Sequence, residues 1–167
     1  MSYSSPNISK LCGDNNKIII AGPCSAESES QVLTVASQLK HLGVKLFRAG
    51  IWKPRTRPGS FEGVGVLGLK WLAKVQNDIG INVCTEVANA KHVNQCLNFG
   101  IKYLWIGART TANPFLVQEI SDSLKGKDVH IFVKNPICAD IGLWIGAIER
   151  LYDSGVSDVA MIHRGFS

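Results

Sequence analysis

The chain has 167 residues, 46% of them apolar, which is the size of one domain and enough to build a buried core. A net charge of +5 favours anionic partners, but no helix or arm is dense in Lys and Arg as in nucleic-acid binders, and no apolar run approaches a membrane span. The five cysteines, Cys12, Cys24, Cys84, Cys96 and Cys138, are scattered with no CxxC pair, which excludes a zinc ribbon or a disulfide framework and, with no signal-peptide core, leads to the expectation of a cytoplasmic protein with reduced thiols.

Residues 1–16, rich in Ser, Asn and Gly, read as a loose lead-in to a single domain over 17–167. From there, short β-rich apolar runs alternate with longer amphipathic stretches. A strand over 17–21 runs into Gly22, Pro23 and Cys24, and a helix over 27–43 follows. A second strand over 44–48 ends at Arg48. Next comes "WKPRTRPGSFEG" (52–63), a turn-rich run in which Lys53, Arg55 and Arg57 alternate with Pro54 and Pro58. A helix over 65–80 leads to a strand over 82–86 that ends at Glu86, and a helix over 89–100 to a strand over 103–106 that continues through Gly107 and Ala108 to Arg109. The remaining units are a helix over 113–126, a strand over 130–134 ending at Lys134, a helix over 139–155 and a strand over 158–163 ending at His163 and Arg164. All five helices stop at glycine, a common C-terminal signal.

Strict β/α alternation with apolar strands predicts a parallel sheet with right-handed crossovers, either doubly wound or a barrel. No GxGxxG opens the first helix, which disfavours the dinucleotide-binding form. In both architectures function gathers at the carboxyl ends of the strands. Here each strand delivers a thiol or a charged group to that rim, and the 52–63 loop adds cations. So many like charges at one rim repel unless an anion sits among them, and two phosphates and a carboxylate suit the count. Taken singly, each has a plainer reading: an Arg or Lys at a strand end is often solvated, Cys24 alone would be a small apolar residue, and Glu86 would pair with a neighbouring cation. His41, His92 and His130 share no face and read as structural. Trp52, Trp71, Trp105 and Trp144 read as core or interface anchors.

The segments "AGPCSAES", "FRAGIWKPRTRPGSFEG", "CTEV", "WIGARTTANP", "VKNP" and "HRGF" resemble those of the 3-deoxy-D-arabino-heptulosonate 7-phosphate (DAHP) synthases, in order and at strand ends, from about residue 17 onward. The resemblance implies a (β/α)8 TIM barrel, represented here by about its first six βα units. It implies condensation of phosphoenolpyruvate (PEP) with erythrose 4-phosphate, the first step of the shikimate pathway, with a divalent metal ion. Arg48, Lys53, Arg109 and Lys134 would hold PEP; Arg55, Thr56 and Arg164 would hold erythrose 4-phosphate; Cys24 would be one metal ligand. Lys53, Glu86 and His163 are the catalytic candidates, Glu86 positioning the attacking water or a neighbouring lysine. A homo-oligomer is expected, and some members of the compact branch fuse a chorismate mutase domain after the barrel. The resemblance places the other three metal ligands on later strands, so the printed chain alone is expected to be inactive. The alternatives are a related PEP-condensing synthase of the 3-deoxy-octulosonate 8-phosphate type, disfavoured by "KPRT", and a non-catalytic phosphate-binding fragment.

Overall fold

Six strands, β1 (Ile20–Ala21), β2 (Leu46–Arg48), β3 (Asn82–Val87), β4 (Tyr103–Ile106), β5 (His130–Lys134) and β6 (Val159–Ile162), pair in chain order, every neighbour parallel. The computed structural model describes Leu11 and residues 17–165. A doubly wound sheet reverses its strand order at a switch point, whereas here each crossover steps the same way, as in a barrel. The fold is therefore a run of six consecutive strands of a (β/α) barrel, with the helices that link them.

Alternation along the strands makes two cores. Leu46, Cys84, Trp105 and Phe132 turn inward, with Tyr103, Ala160 and Ile162 packed against them. Phe47, Val83, Leu104, Ile131 and Val133 turn outward beneath the helices. Strands covered on both faces explain the continuous apolar runs in the sequence. Apart from Leu11, which packs into the inner cluster, the expected lead-in lies outside the described residues.

The helices are α1 (Glu29–His41), α2 (Val66–Lys74), α3 (Ala90–Asn98), α4 (Ala108–Thr111), α5 (Pro114–Leu124) and α6 (Ile141–Asp153). None of the described helices is long and apolar enough to cross a membrane. Side-chain caps start four of them: Ser28, Asn89, Asn113 and Asp140 each accept a backbone N–H of the first turn. The five expected stops hold: Gly43, Gly80, Gly100, Gly126 and Gly155 all have φ between 70° and 85°.

Three features differ from the sequence expectation. β1 is only two residues long, because Ile20 and Ala21 alone find partners on β2, and Ile19 is left 65% exposed. The helix expected over 65–80 gives way to a π-helical turn at Val75–Ile79. A four-residue helix, α4, directly follows β4, its Thr111 bonding to Gly107 O through both backbone N–H and side-chain hydroxyl. On β6, Met161 faces outward and is 50% exposed, since no described helix covers that edge.

Candidate active site

The carboxyl ends of the strands frame a cleft of about 340 Å³. Of the residues expected at the rim, Cys24, Lys53, Arg55, Glu86, Arg109, Lys134 and Arg164 line it. The parallel ladder explains the convergence: β2, β3 and β5 end their inward-facing rows with Arg48, Glu86 and Lys134, one row above the apolar interior.

Trp105 contacts two of the lining residues, Glu86 and Lys134. Its indole N–H donates to Glu86 Oε2 at 2.7 Å, while Arg48 and Lys134 lie 5.0 Å and 4.9 Å from its ring centre. Arg48 is thereby held just beneath the cleft, where it also donates to Pro23 O at 3.3 Å. Gly107 permits the Glu86 position: a Cβ there would stand 2.2 Å from Glu86 Oε1. Burial lowers the Lys134 pKa from its ordinary value; Glu86 opposes the shift, and Arg48 and Lys53 add to it.

The 52–63 loop brings Lys53 and Arg55 to the cleft and holds each by a hydrogen bond. Arg55 Nε donates to Phe61 O at 2.8 Å across the loop. Thr56 Oγ1 accepts from Arg109 Nη2 at 3.1 Å, tying the loop to α4. Arg57 is exposed and lies outside the cleft lining. Lys53 Nζ donates to Cys24 O and lies 3.4 Å from Cys24 Sγ. That hydrogen bond, then the lysine charge, lowers the pKa of the exposed Cys24 thiol.

His163 is not brought to the cleft. Continuing the β6 alternation past the inward-facing Ile162 turns His163 to the helix side, its ring 6.3 Å from that of Trp144, and turns Arg164 inward. Unlike Lys53 and Glu86, the other catalytic candidates, His163 is absent from the cleft lining. As to metal, Cys24 is a lone thiol donor, and no group of three or more His, Cys, Asp or Glu side chains is gathered among the described residues. The residues described here do not by themselves fit a metal centre.

Two contributors were not singled out from the sequence. Trp105 appeared as a core residue, and only the fold shows its indole under two cations. Asn135, fully buried, accepts from Arg164 N at 2.7 Å and donates to Gly165 O at 2.9 Å, so it holds the β6 exit in place. Its one sequence signal was a polar residue directly after an apolar strand, in "VKNP".

Fold and cleft together define a (β/α)-barrel protein with a cation-lined cleft at the strand carboxyl ends. The DAHP synthetase I family model matches residues 4–167, and the chain belongs to that family. A phospho-2-dehydro-3-deoxyheptonate aldolase from Thermotoga maritima is 31% identical over 153 residues, covering 92% of this chain and 44% of the relative. A 2-dehydro-3-deoxyphosphooctonate aldolase from Hydrogenovibrio crunogenus is 41% identical over 90 residues, 47% of this chain and 32% of that protein. The crystal structure of the Thermotoga maritima DAHP synthase superposes with a TM-score of 0.77 at 29% identity, over 89% of this chain and 41% of that one. A truncated form of the 3-deoxy-D-arabino-heptulosonate 7-phosphate synthase from Thermotoga maritima gives 0.74 at 27% identity, over 90% and 52%. The chain thus spans about half or less of the length of these relatives.

Proposed function

We propose that this chain carries the substrate-anion half of a DAHP-synthase-type active site, in which PEP condenses with erythrose 4-phosphate to give DAHP and inorganic phosphate. The observation that carries this reading is the convergence of Lys53, Arg55, Arg109, Lys134 and Arg164 on one cleft whose only lining carboxylate among the described residues is Glu86.

PEP brings a phosphate and a carboxylate, and Lys53, Arg109 and Lys134, with Arg48 beneath, face them. Arginine forks match both groups in bidentate fashion. Arg55 and Arg164 also line the cleft, and with Thr56, which is bonded to Arg109, they suit the second phosphate. In the reaction, C3 of PEP bonds to the aldehyde carbon, whose oxygen takes up a proton. Water adds at C2, losing a proton to leave a C2 hydroxyl; the C2–O bond to phosphate then breaks as that hydroxyl gives up its proton, which the departing phosphate takes up, to leave the ketone. Negative charge stays on the phosphorylated intermediate throughout, and fixed cations lower its energy most effectively in a site already set in place, by a few kcal/mol per well-placed donor. Glu86, anchored by the Trp105 N–H, is placed to orient the attacking water or to share a proton with Lys134.

The similarity to the phosphooctonate aldolase over 90 residues supports a second reading, in which the aldehyde is a longer sugar phosphate. The Lys53-Pro54-Arg55-Thr56 run favours the first. Phosphate release from PEP, assayed with the full-length protein and either erythrose 4-phosphate or arabinose 5-phosphate, separates the two. Release with erythrose 4-phosphate alone supports the proposal. Release with arabinose 5-phosphate alone favours the second reading, and PEP uptake without release favours a binding module.

A further inference from the structure

The cationic loop rests on a stacked pair of rings that the substrate reading leaves unused. Trp52, directly before Lys53, lies face to face on His92 of α3, the ring centres 3.9 Å apart and the planes within 3°. His92 is fixed from two sides. Its backbone N–H donates to Asn89 Oδ1 at 2.9 Å, and its Nδ1 accepts the N–H of Ala88 at 3.3 Å, two residues beyond Glu86. An accepting Nδ1 puts the ring proton on Nε2. Burial, with Lys91 second, lowers the His92 pKa and favours the neutral ring.

The loop closes back on the backbone around Trp52. Lys53 N donates to Glu62 O at 2.8 Å, and Gly65 N to Ile51 O at 2.9 Å. Gly63 makes the return possible: its φ is +98°, and a Cβ there would stand 2.0 Å from Ile51 O and 3.1 Å from Trp52 Cα. No residue lining the cleft comes from α3, and the stack is a direct contact between that helix and the residue preceding Lys53.

We propose that His92 is a positioning residue: its ring is the pedestal that holds Trp52, and through it Lys53, Arg55 and Thr56, in register with Glu86 on β3. What the loop binds rests on the function proposed above; whether the loop is held does not. An aligned aromatic pair of this kind corresponds to about a three- to tenfold preference for the stacked loop.

The loop carries its own reporter. Lys53 and Arg57 each precede proline, so trypsin can cut the run only after Arg55. Cleavage there, followed by mass spectrometry and divided by cleavage after the exposed Lys127, measures loop release against general loosening. His92→Ala should raise that ratio about three- to tenfold. His92→Phe, which keeps a stacking face, should return most of it. His92→Gln keeps an acceptor for Ala88 N–H without the ring, and should behave as His92→Ala does; it serves if the alanine variant fails to fold. An unchanged ratio in both, or equal rises at both sites, overturns the proposal. Calorimetric PEP titration of the same proteins separates the two readings. A changed ratio without PEP binding to any of them leaves the pedestal standing and removes the substrate reading; PEP binding with an unchanged ratio does the reverse.

Discussion

Lys134 sits where a charge is costly to keep: partly buried, near Arg48 and Lys53, with Glu86 as the opposing carboxylate. Its lowered pKa has a signed consequence. An anion in the cleft favours the ammonium and raises that pKa toward its ordinary value. Between the free and bound values PEP binding must therefore take up a proton, and affinity must fall as pH climbs through the free-state pKa. Titrations at alkaline pH in buffers of different ionisation enthalpy should show this uptake. Lys134→Arg, which cannot lose its proton, should abolish it. Buffer-independent heats in the parent protein would contradict the assignment of Lys134 to the anion site.

The elements that place these side chains depend on their ends. Asn113 accepts N–H bonds from Phe115 and Leu116 at 3.1 Å and 3.3 Å, and so starts α5, which packs against α3, α4 and α6. Asn113→Ala should cost about 1 kcal/mol in a urea melt while leaving PEP affinity unchanged; a loss of affinity would mean that α5 reaches the site. Helix ends were legible in the sequence because they are local: a cap and a glycine lie within one turn of the residues they govern. α4 was not, because four residues carry no period, and its Thr111–Gly107 bonds depend on where β4 releases the chain. β1 fell short of expectation for the opposite reason, since a strand needs a partner and residues 17–19 have none in the sheet.

Across the whole molecule, the position of the rim was readable from alternation alone, since parallel strands must deliver their carboxyl ends to one side. Which side chains turn into that rim was less so. His163 and Arg164 are adjacent in sequence and opposite in space, and the Trp52–His92 stack joins residues far apart in the chain. Trp105 looked like any buried aromatic until the fold placed two cations over it. Because the cleft concentrates charge on a chain of net +5, PEP affinity should fall several-fold as salt rises from about 0.05 to about 0.5 M; salt-independent affinity would argue against an ionic site.

The central claim is that strand-borne cations enclose the anionic groups of PEP, and calorimetric titration of the 167-residue chain with PEP tests it most directly, with Arg109→Ala as the comparison. We expect a single saturable site, weakened about ten- to hundredfold by the substitution, the scale of a lost charge-assisted hydrogen bond. No saturable heat, or equal affinity in the two proteins, would contradict it.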